Sequence, residues 1–287
     1  MRGMTSHASR EEIERHWSRV RRYMDSDALL VVQNVDQFYL TGTVQDGVLW
    51  FPREGEPVFA VRRSHERAVE ESPLRNIVPF RRFSELPSLI PEVAEVFGLE
   101  LDVLPVGLYR QIEKTFPNSR FIDEAMALRR ARAVKTPLEQ AHIRRAAAML
   151  DAAFLDIPGQ LREGMEEVEL AIRIEQVMRE AGHQGLVRVR RFNMELYFGA
   201  VSFGDTASYP HSFDGAVGVR GLYPAVPLMG GHKKLVAGEP VMVDIVAGYE
   251  GYLADGSRAY SVGKPSADIL ETHAFILEMN RWLEQEM

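Results

Sequence analysis

The chain has 287 residues, 46% of them hydrophobic and 26% charged, which fits an ordinary folded protein and excludes disorder or a fibrous repeat. A net charge of -7 with no long basic stripe argues against a nucleic-acid partner. Cysteine is absent, so disulfides, thiolate metal sites and a cysteine nucleophile are excluded, and any metal must be held by oxygen or imidazole.

The N-terminus carries no apolar stretch of signal-peptide length and no run long enough to span a bilayer, so a soluble, cytoplasmic protein with no membrane partner is expected. The length suggests two domains.

From Asp27 to about Phe121 short apolar runs alternate with helical patterns, an α/β layout. Ala28 to Val32, Val48 to Phe51 and Pro57 to Val61 are expected as strands, with a turn over Pro52 to Glu56. Glu85 to Phe97 and Leu108 to Phe116 are expected as covering helices.

A domain boundary is placed near residue 130, giving domains 1–130 and 131–287. Just beyond it, Thr136, Pro137 and Glu139 form a capping-box start for a helix with an apolar stripe at Ile143, Ala147, Leu150 and Phe154, ending at Pro158-Gly159. A second helix is expected from about Met165 to Ala181, with Leu170, Ile174 and Val177 on one face. Gly199 to Gly231, rich in Gly and Pro, is expected to be mostly loop, and the spacing of Gly215, Gly218 and Gly221 does not suit a dinucleotide-binding turn.

Val241 to Val262 reads as a hairpin. A two-residue loop at Tyr249-Glu250, flanked by Gly248 and Gly251, sets Asp244 directly opposite Asp255 on one face, with Cβ atoms about 5 Å apart. Two carboxylates about 4 Å apart repel by roughly 4 kcal/mol at an effective dielectric of about 20, so the pair calls for a shared proton, a cation such as Arg258, or bound divalent metal. The alternative is a turn at Asp255-Gly256, which leaves Asp244 an ordinary edge residue.

With Asp244, Gly251-Tyr252, Asp255 and Arg258 in place, the hairpin resembles the metal hairpin of the creatinase, prolidase and aminopeptidase P family, the "pita-bread" fold. Tyr39-Leu40-Thr41-Gly42 is similar to that family's N-terminal domain, Leu128 to Glu139 to its interdomain junction, and Gly164-Met165-Glu166 stands where its Gly-x-Thr-Glu occurs, without the threonine. The resemblance implies a creatinase-like α/β N-terminal domain and an α+β pita-bread catalytic domain. It also implies a centre of two divalent metal ions (Mn, Co or Zn) bridged by Asp244 and Asp255, with His211 of Tyr209-Pro210-His211 as a catalytic residue at the substrate. His232, beside Lys233 and Lys234, is a weaker candidate.

The implied activity is hydrolysis of Xaa-Pro bonds in a peptide or small amide substrate, by a homodimer. A related small-amide hydrolase or a non-catalytic binding module are the alternatives. The family's later histidine and two glutamate ligands do not follow the expected helix from Ser266 to Met287. The catalytic domain is therefore expected to be incomplete, and the chain as given to bind metal weakly and not to turn over.

Overall fold

The computed structural model describes residues 8–211 and 218–287. The chain divides into two compact units, residues 1–135 with 190–192, and residues 136–189 with 193–287. Gly215 of the glycine-rich stretch lies outside the described residues.

The first unit is built from α1 (Arg10–Tyr23), β1 (Ala28–Val31), α2 (Asn34–Thr41), β2 (Gly47–Pro52), β3 (Val58–Val61), α3 (His65–Glu71), β4 (Ile77–Pro79), α4 (Leu86–Leu89), β5 (Val96–Leu99), α5 (Val106–Thr115), β6 (Arg120–Asp123) and α6 (Ala125–Ala133). Its six strands run in the order β4-β3-β2-β1-β5-β6, with β2 antiparallel to its neighbours and the other pairings parallel. Helices cover both faces, so strand residues are apolar on both. Leu29, Val31, Leu49 and Phe51 pack with Ile13 and Trp17 of α1, and Ala28, Leu30, Val48 and Trp50 pack with Ile112 of α5.

The expected helix over Glu85 to Phe97 is not formed. A 3₁₀ turn and the four-residue α4 stop before Pro91, and Val96 to Leu99 is an interior strand paired with β1 and β6. Phe97 and Leu99 are buried, and the burial available inside a two-faced sheet outweighs the local helical pattern.

The second unit contains α7 (Pro137–Gln160), α8 (Glu167–Glu180), β7 (Gly199–Phe203), β8 (Pro240–Tyr249), β9 (Tyr252–Ser261) and α9 (Ala267–Glu286). The capping box forms as the sequence predicts: Thr136 accepts from Glu139 N, and Glu139 accepts from Thr136 N at 2.6 Å. Helix α7 runs past Pro158 to Gln160. Pro158 has no N–H to offer Phe154 O, and the Tyr260 hydroxyl donates to that carbonyl instead, at 3.1 Å. Helix α9 covers the segment predicted after Ser266, which caps it.

Gly199 to Phe203, expected as loop, is a strand. It pairs with β8 to complete an antiparallel sheet of order β7-β8-β9. One face of that sheet meets α7 and α8, through Val241, Val243, Ile245 and Ala247 against Leu150, Phe154, Leu170 and Ile174. The opposite face is left for the site. No helix among the described residues is long and apolar enough to cross a membrane.

Candidate active site

The β8–β9 hairpin turns at Glu250-Gly251, not at Tyr249-Glu250. Glu250 (φ 50°) and Gly251 (φ 83°) are both left-handed, as a tight primed turn requires, and glycine takes the second position at no steric cost. Tyr249 therefore closes the turn against Tyr252, which shifts the pairing. Asp244 stands opposite Ser257, and Asp255 opposite Val246. The two aspartates are diagonal neighbours rather than direct partners, and they remain on the same face.

On that face they line a cavity of about 500 Å³ with His211, Ser257, Arg188 and apolar walls that include Val187, Met194, Leu196 and Leu253. His211, Asp244 and Asp255, named from the sequence, thus border one space. His232 does not line it; its Nδ1 lies 2.9 Å from Glu166 Oε2 on the surface. Glu166 caps α8 without a side-chain bond, as the missing threonine predicts.

Backbone packing brings the elements close. Gly199 faces the backbone of Asp244, where a Cβ would come within 2.0 Å of the Asp244 carbonyl oxygen, so only glycine lets β7 approach β8 here. Ser257 donates its hydroxyl to Asp244 Oδ1, which restricts that carboxylate. Burial, and then the neighbouring Asp244, push the Asp255 carboxyl above the usual range, with the Gly256 N–H opposing them. Arg258 does not neutralise the pair. It stands opposite Val243 on the helix-facing side, with its guanidinium 4.9 Å from the Phe154 ring centroid.

Four residues that the sequence did not single out contribute to this geometry. Glu167, fully buried at the start of α8, accepts from Phe203 N (2.8 Å), Gly231 N (2.8 Å) and the Thr206 hydroxyl, and so ties down the chain leading to His211. His183 Nδ1 accepts from Gly248 N at 2.8 Å, and Gln184 accepts from Gly251 N at 3.0 Å, fastening the hairpin tip. Arg188 supplies positive charge at the cavity. None of the four follows a local periodicity or a turn signal.

The creatinase/prolidase N-terminal domain model matches residues 17–134, and the metallopeptidase family M24 model matches residues 141–286. The chain belongs to metallopeptidase family M24. Its second unit is an M24 pita-bread domain, and its first a creatinase-type N-terminal domain. An uncharacterized peptidase of Staphylococcus aureus (strain USA300) is 25% identical over 259 residues, 88% of this chain and 67% of that protein.

Among solved structures, the Xaa-Pro dipeptidase from Bacillus anthracis superimposes with a TM-score of 0.76 at 24% identity, covering 93% of this chain and 69% of the other. The X-Pro aminopeptidase from Thermotoga maritima MSB8 does so with a TM-score of 0.73 at 23% identity, covering 91% and 69%. These likenesses establish the M24 fold, and membership of the family establishes a peptidase-type hydrolase.

The donor set suits a metal of the kind found in this family. Two carboxylates share one face, no side-chain cation among the described residues forms an ion pair with either, and Asp255 is held above its ordinary pKa by burial and then by the neighbouring Asp244. Hard oxygen donors with an imidazole at the same cavity suit a divalent cation.

Proposed function

We propose that the natural gene product carrying this M24 chain hydrolyses Xaa-Pro peptide bonds as an aminopeptidase or dipeptidase, in a metal-dependent reaction. The observation that carries this reading is the joint presence of Asp244, Asp255 and His211 on one cavity lined by apolar side chains. The names of the structural neighbours, an Xaa-Pro dipeptidase and an X-Pro aminopeptidase, support the proline preference.

In this reading Asp244 and Asp255 hold two divalent ions of Mn, Co or Zn. When bound, such ions polarise the scissile carbonyl and acidify a water molecule. Ser257 keeps Asp244 in its orientation through the hydroxyl it donates. His211 stands beside the substrate and passes a proton at the scissile bond. The apolar walls receive the pyrrolidine ring and exclude bulk water. A cytoplasmic homodimer acting on peptides completes the proposal.

The test is the metal content of the natural gene product, with and without Asp244→Ala and Asp255→Ala, alongside turnover of Xaa-Pro peptides against matched Xaa-Ala peptides. Loss of metal and of proline-selective turnover in both variants is the expected result. Metal content unchanged in both variants overturns the site, and equal turnover of the two peptide sets overturns the proline specificity.

A further inference from the structure

Residues 186–198, between α8 and β7, form no helix or strand, yet Val187, Arg188 and Val189 line the cavity that holds the two aspartates. A wall of irregular backbone keeps its shape only where something outside it holds it. The hold lies one residue on. Residues 190–192 group with the first unit, whereas the residues on either side belong to the second. Within that first unit Arg190 meets Asp102 as a fork, Nε to Oδ2 at 2.6 Å and Nη2 to Oδ1 at 2.8 Å, and its Nη1 donates to Asp36 Oδ2 at 2.5 Å.

This is not a loose surface pair, since the Arg190 side chain is only 20% exposed and Asp36, in the first turn of α2, is fully buried. Arg132 of α6 serves the other oxygen of Asp36, Oδ1, at 2.8 Å. Buried Glu100, just past β5, is pushed well above the ordinary carboxylate range by burial and then by Asp36, which favours its neutral form, and its Oε2 accepts from Val32 N and Gln33 N. Two arginines are thus set against two aspartates, and loss of Arg190 takes a donor from a buried carboxylate. A two-point fork fixes direction as well as distance, so the backbone at Arg190 is held and not merely attracted.

We propose that Arg190 is a positioning residue for the candidate site: by locking onto Asp102 and Asp36 it fixes the adjoining wall at residues 187–189, and with it the shape of the cavity that receives substrate. What the cavity receives rests on the peptidase reading. Arg190 does not line the cavity, so it acts through Val189, one peptide bond away. The two aspartates stand on β8 and β9, whose mutual pairing does not involve this segment. Loosening the wall therefore weakens substrate binding and leaves metal binding alone.

The test measures KM and kcat for Ala-Pro, affinity for Mn(II), and the rate of chymotrypsin cleavage after the exposed Phe192, all on the natural gene product. Wild type is compared with Arg190→Gln, Arg190→Lys, Asp102→Asn and the double variant Arg190→Gln/Asp102→Asn. Arg190→Gln should raise KM about tenfold, with kcat and Mn(II) affinity within about twofold of wild type. Arg190→Lys, which keeps the charge and loses the fork, should recover part of that loss. The double variant should be no worse than Arg190→Gln, because both changes remove the same contact. Cleavage after Phe192 should quicken at least about fivefold in Arg190→Gln. An unchanged KM, a fall in kcat or Mn(II) affinity as large as the rise in KM, or additive losses in the double variant overturns the proposal. If Arg190→Gln does not fold, Arg190→Lys and Asp102→Asn carry the test, and a wild-type KM in both overturns it. If the wild type hydrolyses no Xaa-Pro peptide, the hydrolytic reading fails and cleavage decides: faster cutting in Arg190→Gln, and no faster in the double variant, keeps the positioning role, whereas equal rates for wild type and Arg190→Gln remove it.

Discussion

Asp255 lies one diagonal step from Asp244 on the exposed face of the β8–β9 hairpin, and no side-chain cation among the described residues stands between them. Asp244 has the Ser257 hydroxyl as a donor, whereas Asp255 has only the Gly256 N–H, and it carries the raised pKa. The repulsion is local, and a divalent cation is the chemical species that would relieve it.

In chelator at neutral pH, Asp255→Asn should melt at the same temperature as the wild type or higher, because it removes an ionised group that the fold disfavours. Added Mn(II) should raise the melting temperature of the wild type and not of the variant. Scanning calorimetry checks both, and a variant clearly less stable than the metal-free wild type would contradict the repulsion.

Ser257→Ala leaves Asp244 without its hydroxyl donor. Mn(II) affinity should fall about tenfold, the usual scale for a partner that orients a metal-binding carboxylate, with little loss of stability at this exposed position. Titration calorimetry reads the affinity, and an unchanged value counts against the orienting role.

Glu167 satisfies two backbone donors and one hydroxyl inside the second unit. Glu167→Ala strands the Gly231 N–H, while Phe203 N keeps Thr206 Oγ1 and the Thr206 hydroxyl keeps Phe203 O, and should cost about 2 kcal/mol in urea denaturation, whereas Glu167→Gln, which keeps one acceptor oxygen, should cost roughly half of that. Equal costs for the two variants would show that packing, not acceptance, is what Glu167 contributes.

Burial, and then Arg179, hold the His183 imidazole below its ordinary pKa. The native state therefore binds fewer protons here than the unfolded chain. The stability contribution is fully present above the unfolded value of about 6.5 and is lost as pH falls through the folded pKa. His183→Asn, whose side-chain oxygen can still accept from Gly248 N, should flatten the melting temperature between about pH 7.5 and pH 5. An unchanged slope in the variant would remove His183 from the pH response.

Tyr260→Phe deletes the donor to the carbonyl that Pro158 leaves unserved, and should cost about 1 kcal/mol. In a Pro158→Ala background the new N–H can serve Phe154 O, so the same change should cost less. A double-mutant cycle measures that coupling, and additive costs would separate Tyr260 from Pro158.

Much of this architecture was legible in short stretches. Thr136, Pro137 and Glu139 announce the start of α7 because a capping box is satisfied within four residues. Ala28 to Val31 and Gly47 to Pro52 are strands because aliphatic and aromatic residues run without interruption where both faces are covered. Asp244, Asp255 and the preceding loop histidine His211 were also visible as candidates, since a hairpin's alternation assigns side chains to faces even when its turn is misplaced.

Local patterns thus set the composition of each face and the types of side chain available for chemistry, because period and turn preference act over a few residues. Long-range packing alone placed the interior strand at Val96 to Leu99, the strand at Gly199 to Phe203 and the gathering of Arg188 with His211 and the two aspartates. Each of these depends on burial or pairing between residues far apart in the chain. Local propensities of a few tenths of a kcal/mol per residue are overridden there by the larger free energies of packing and of satisfying buried backbone groups.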